Sequence, residues 1–164
     1  MSVKQLTRIA FLGSLLYIVF HSFSNFLYIE MITFTICSFS LVFSRKEVVI
    51  ASFLFGMIQI LFHGLMFWNV MYILIYPTYA YLCATYRSFF MRHKIGFYMI
   101  GGFFSFLTGQ LVELPFLLVS KKVTLIYMLM GLKTSLIQGC ITFLEFLMLH
   151  DPVHQLLERI EQRK

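Results

Sequence analysis

Three side chains in otherwise apolar sequence could bind a ligand or move a proton: Gln110, Glu113 and Lys133. A polar or ionisable group inside a long apolar run is costly in lipid and usually faces a cavity. Counting back from the turn near Ser120, Gln110 and Lys133 fall at similar depth, within about 3 Å at 1.5 Å per residue. Glu113 lies nearer the surface, within reach of the long lysine side chain. Pro115 deprives the Leu111 carbonyl of its helical donor and adds an acceptor close by. One segment earlier, Asn69, Tyr72 and Tyr76 share a face at i, i+3, i+7, and Pro77 frees the Ile73 carbonyl. His63 sits near the end of the segment before that, and the stretch from His21 to Glu30 contributes Asn25, Tyr28 and Glu30. Together these residues predict an outward-facing pocket with aromatic walls, one acid, one base and several amides. Such a lining suits a small, flat, polar heterocycle held by stacking and a few hydrogen bonds. A plainer arrangement is also open, in which Glu113 and Lys133 pair only with each other and fix helix register. Glu145, roughly 18 Å along its helix from Lys133, is expected at the inner interface.

Covalent or hydrolytic chemistry has no comparable support. The sequence holds no Gly-rich phosphate loop, no HExxH and no GxSxG. The histidines at 21, 63, 93, 150 and 154 never pair with a carboxylate at ligand spacing inside an apolar run. Cys37, Cys83 and Cys140 lie far apart in apolar surroundings, which reads as small buried hydrophobes rather than a metal site or a disulfide framework. No enzyme activity, cofactor or metal is expected.

The elements that must carry the polar residues follow from composition. The chain has 164 residues, 60% hydrophobic and only 12% charged. A soluble domain carries about 25% charged residues, so the solvent for this surface is lipid. At roughly 20 residues per crossing, the length allows about six helices. The apolar segments are Leu6–Phe23, Glu30–Phe43, Val48–Phe67, Val70–Tyr86, Ile95–Val119 and Val123–Leu149. The second is short, as if tilted or continued into its loop. The expected fold is therefore all-α, a single integral-membrane domain over residues 1–164 with six transmembrane helices. Lys4 and Arg8 before an apolar stretch imitate a signal peptide, but no small-residue cleavage site follows, so a retained first helix is expected. After His150-Asp151-Pro152, the residues Val153, Leu156, Leu157 and Ile160 recur at helical spacing. They predict a short amphipathic helix on the inner leaflet or against a partner.

Ten Lys/Arg fall on one side of these crossings: Lys4 and Arg8; Arg45 and Lys46; Arg87, Arg92 and Lys94; Arg159, Arg163 and Lys164. Lys121 and Lys122 alone fall on the other. This asymmetry predicts both termini in the cytoplasm and makes the net charge of +6 an orientation signal rather than a nucleic-acid patch. Trp68, Tyr28 and Tyr72 lie near the outer ends, where interfacial aromatics belong.

Small residues mark helix contacts. Gly131, Ser135 and Gly139 repeat every fourth residue on the sixth segment, and Gly102, Ser105 and Gly109 line the fifth, predicting that the two pack as a hairpin. Ala10 and Ser14, with Gly13 beside them, mark the first segment, and Ser52 and Gly56 the third. These last sets could face an internal neighbour or an external partner.

The opening Leu6-Thr-Arg-Ile-Ala-Phe-Leu-Gly-Ser-Leu15 and the block Ser44-Arg-Lys-Glu-Val-Val-Ile-Ala-Ser-Phe-Leu-Phe-Gly56 resemble a substrate-binding S component of an energy-coupling factor (ECF) vitamin transporter. Size and helix number extend the resemblance over nearly the full length. The family's first helix docks on a transmembrane coupling subunit through an AxxxA pattern. Ala10 matches its first position, and Ser14 replaces the second alanine. The resemblance implies a multi-pass protein of the bacterial cytoplasmic membrane that binds a vitamin from outside, with the first loop as lid and the outer parts of helices four to six as walls. It implies association with a coupling subunit driven by two cytoplasmic ATPases, and a toppling of the S component that releases its cargo. Pyridoxine or hydroxymethylpyrimidine suits the mixed lining, and pantothenate could meet Lys133 through its carboxylate. Two other classes remain: a non-transporting scaffold such as the rod-shape protein MreD, and an independent channel or exporter. The scaffold would need partner faces but no polar pocket.

Overall fold

A computed structural model describes residues 1–162; Arg163 and Lys164, counted above among the basic residues of the tail, lie outside the described residues. Seven α-helices follow one another: α1 (Val3–Phe23), α2 (Met31–Val42), α3 (Arg45–His63), α4 (Phe67–Thr85), the short α5 (Arg87–Arg92), α6 (Lys94–Leu111) and α7 (Lys121–Gln162). Among the described residues no strand interrupts them. Among the described residues, four stretches are long and apolar enough to cross a membrane: α1, α3, residues 94–118 and α7. Phe11, Ile18, Phe53, Leu61, Met99 and Met130 are all exposed along these helices. So much outward apolar surface suits lipid and not water.

Local chemistry explains most boundaries. Ser2 and Gln5 form a reciprocal capping box at the start of α1, and Ser44 and Glu47 form another at the start of α3. Gly64, at φ 81°, ends α3 in a conformation that residues with a Cβ rarely adopt. Pro77 stays inside α4 as expected. Pro115 does more than free one carbonyl: the fifth apolar segment ends as an α-helix at Leu111, and a 3-10 turn over Leu114–Leu118 takes its place. The ring fits the first positions of that turn, where the missing N–H costs nothing. Pro152, by contrast, breaks no helix. The expected separate amphipathic helix is the last stretch of the continuous 42-residue α7. Leu157 and Val153 pack on the core from that stretch, while Leu156 and Ile160 stay exposed.

The short α2 forms the centre. Every residue from Ile32 to Leu41 is buried, and α1, α3, α4, α6 and α7 all pack against it. A helix ringed by protein need not span the hydrocarbon, which is why 12 residues suffice here. α6 and α7 meet at their glycines, where a Cβ on Gly102 would lie 2.7 Å from the Gly139 carbonyl oxygen. Two other small residues are internal as well. Gly13 faces Leu54 and Ala51 of α3, and Gly56 faces the Ile73 backbone of α4. Ser52 is fully buried. Ala10 and Ser14 are exposed, so of the small-residue sets on α1 and α3 only this pair is free to meet a partner.

Among the described residues, ionic contacts gather at the end where α1 begins and α7 ends. Arg8 binds Glu47 at 3.4 Å and Glu161 at 3.2 Å. The Arg87 guanidinium donates to the Ser40 carbonyl at 2.9 Å and also to that of Phe43, satisfying the last turn of α2. Lys94 pairs with Asp151 at 2.7 Å across α6 and α7.

Candidate functional site

At 1.5 Å per residue, α2 is about 18 Å long against a hydrocarbon core of about 30 Å. Its other end is fixed at the basic pole by Arg87, so the shortfall opens at the opposite pole. There lies a cavity of about 410 Å³, within the size range of small-molecule sites. Phe20 and Phe23 of α1 and Tyr72 and Tyr76 of α4 supply aromatic walls; Thr108, Val112 and Glu113 come from α6 and its continuation; Gly131, Thr134, Ser135 and Gln138 come from α7. The loop between α1 and α2 closes over the site with Ser24, Phe26, Leu27 and Ile29.

Glu30 stands at the floor, where it caps α2. Its Oε1 accepts the Thr33 backbone N–H at 3.1 Å and the Tyr76 hydroxyl at 3.2 Å. Its Oε2 is buried and takes no hydrogen bond of standard geometry, although the Ser105 hydroxyl faces the carboxylate. Behind the floor, Thr142 donates to Ser105 at 3.0 Å, with both residues fully buried. Thr142 in turn faces Glu145. Glu145, placed by sequence near the inner end of its helix, is buried, at 9% exposure, and ends a polar seam that leads inward from the cavity.

The aromatic walls are mutually braced. Tyr72 and Tyr76 have ring centroids 5.1 Å apart, and Phe20 meets Tyr72 edge-on at 6.2 Å. Tyr79 stacks flat on Phe104 at 4.2 Å and donates its hydroxyl to the Phe104 carbonyl, locking α4 to α6 just below.

Of the residues expected from sequence to form the pocket, the structure brings Glu30, Tyr72, Tyr76 and Glu113 to the cavity lining. Gln110 lies one layer behind: its Nε2 donates to the Ser135 hydroxyl at 2.8 Å and so orients a lining residue. Asn69 is almost completely buried and donates to the Gly64 carbonyl at 2.9 Å, clipping the turn between α3 and α4. His63 is exposed, with its ring near Tyr17 and Phe20. Asn25 and Tyr28 belong to the closing loop, but its other residues do the lining. Lys133 is the clearest correction. It is exposed, lines no part of the cavity, and is absent from the ion pairs among the described residues. The alternative reading, a Glu113–Lys133 pair, is not among the ion pairs of the described residues. Two residues from Ser135 on a helix means a rotation of about 200°, which puts Lys133 on the opposite face of α7.

Thr108, Thr134, Ser135 and Gln138 were not expected at the site. The signal for the last three was present: Gly131, Thr134, Ser135 and Gln138 recur at i, i+3, i+4, i+7 in an apolar run. Read only as a close-packing stripe through Gly139, the row conceals its polar face. Gly131 shows the difference, since a Cβ there would meet nothing within 4 Å.

Comparison with protein-family models, with curated proteins and with solved structures gives no match.

Proposed function

We propose that this chain is a substrate-capture subunit of the ECF type, lying in the bacterial cytoplasmic membrane with both termini inside. It takes a small, flat vitamin or vitamin precursor from the outer side. The observation that carries this reading is a blind cavity at the pole away from the basic cluster. The cavity is deep enough for a heterocycle and walled by aromatic rings. Beneath Glu30 the core is closed: Ile36, Cys37, Val48, Ala51 and Phe146 are fully buried. A cup with a packed floor suits binding and handover better than conduction, which disfavours a channel. A scaffold of the rod-shape type would have no use for a cavity lined by two carboxylates and several hydroxyls. Pyridoxine and hydroxymethylpyrimidine fit the lining. Pantothenate loses its partner, because Lys133 faces away.

Delivery would fall to a transmembrane coupling subunit and two cytoplasmic ATPases. Ala10 and Ser14 offer that subunit a small-residue face on α1, where backbones can approach closely. The test is mass spectrometry of small molecules released from the detergent-purified chain, together with a binding panel of water-soluble vitamins. The expected result is one heterocycle bound at about one per chain. No bound compound, no binding in the panel and copurified cell-wall machinery would favour the scaffold instead.

A further inference from the structure

The cavity is charged in one sense only. Glu30 at the floor and Glu113 at the rim line it, and no Lys, Arg or His does. Lys133, the cation expected beside Glu113, faces away. Glu30 Oε1 already holds two donors, while the buried Oε2 takes no hydrogen bond of standard geometry and has only the Ser105 and Thr33 hydroxyls facing the carboxylate. A buried carboxylate short of well-aligned donors is expensive, and a charged donor that arrives with the ligand relieves it. The walls point the same way. Tyr72 and Tyr76 stand beside Glu30, with Phe20 against Tyr72, and the faces of such rings attract positive charge.

We infer that the ligand is an organic cation: a flat nitrogen heterocycle bearing one positive charge, its charged N–H group on Glu30 and its ring among Phe20, Tyr72 and Tyr76. This rests on the capture function proposed above and adds the charge class of the cargo. Gln138, Thr108 and Thr134 then meet the ring's neutral polar substituents. Glu113, nearer the mouth, raises the local concentration of cations and contributes less once the ligand is seated.

Isothermal titration of the full chain in detergent against six probes tests this. Pyridoxamine and aminomethylpyrimidine are cations with a charged N–H, pyridoxine and hydroxymethylpyrimidine are their neutral counterparts, and pyridoxic acid and pantothenate are anions. At least one cation is expected to bind about tenfold or more tighter than its neutral counterpart, with the anions unbound. Glu30→Gln should weaken that cation about tenfold or more, as loss of a charge-assisted hydrogen bond predicts, and change the neutral probe less than about twofold. Because Glu30 also caps α2, Glu113→Gln serves as a second variant that leaves the cap intact; a smaller loss of about threefold, again confined to the cation, is expected. A neutral or anionic probe bound as tightly as any cation overturns the charge assignment and leaves the capture function standing. Equal weakening of cation and neutral probe in both variants also overturns it. Binding of no probe in any charge class overturns both.

Discussion

The Tyr76 hydroxyl shares one Glu30 oxygen with the Thr33 N–H, so a single carboxylate both caps α2 and ties it to α4. Tyr76→Phe keeps the ring and removes one of these bonds. Thermal unfolding in detergent is expected to show a loss of about 1 kcal/mol; a shift of zero would mean that the hydroxyl finds equal partners elsewhere. Glu145 is the opposite case, a carboxyl buried in the bundle with neither oxygen in a standard hydrogen bond. Glu145→Met, close in volume, is expected to raise stability by about 1–3 kcal/mol, since replacing a buried charged group by a packed apolar one is commonly stabilising. A lower melting temperature would instead show that the seam through Ser105 and Thr142 needs its terminal acid. Sequence marks such groups as costly but gives each only a height along its helix. Gln110 and Lys133 share a level, yet Gln110 turns to Ser135 and Lys133 to the outside. Azimuth is set by which faces the neighbouring helices cover, and that is a tertiary property.

Elements were more legible than sites. Apolar runs and charge breaks suffice to find α1, α3, α4 and α6, because each signals membrane and helix together. The errors lie where a local breaker met a tertiary override. Pro115 ended a helix expected to continue, while Pro152 failed to end one, its stretch being held by Leu157 against the core and by Asp151 on Lys94. The pairing of α6 with α7 was foreseeable from spaced glycines, though not which glycines bear it. Gly102→Ala must push against the Gly139 carbonyl at 2.7 Å, a backbone atom that cannot rotate away. It is expected to cost about 1–3 kcal/mol in thermal unfolding. Gly131→Ala, with open space around its Cβ, should be neutral or stabilising by up to about 1 kcal/mol through helix propensity. Equal losses in both would contradict the packing of this hairpin.

Over the whole molecule, the two poles differ in kind. The cavity pole is held by ring contacts and a loop, the basic pole by ionic and capping bonds joining α1, α2, α3, α5, α6 and α7. Arg8 is the centre of this second set. Arg8→Ala leaves Glu47, at 5% exposure, without its cation. It is expected to cost about 2–3 kcal/mol and to speed proteolysis near the end of α7, where Glu161 loses the same partner. Intact cleavage kinetics in the variant would show that the α7 end is anchored otherwise. That the basic residues gather at one pole was evident from sequence; that Arg8, Arg87 and Lys94 build internal contacts there was not, because their partners lie 39 or more positions away.

The uninterrupted course of α7 carries a mechanical consequence. Gly131, Thr134 and Gln138 form one cavity wall, and Glu161 grips Arg8 on the same rod, about 45 Å from Gly131 at 1.5 Å per residue. No loop lies between them to absorb motion, so the helix acts as a lever with its load at one tip. A rotation of the bundle by about 10° would sweep the far tip through about 8 Å over that length. Any movement imposed on the wall is thus delivered, magnified and without slack, to the pole where α1 and α3 are joined.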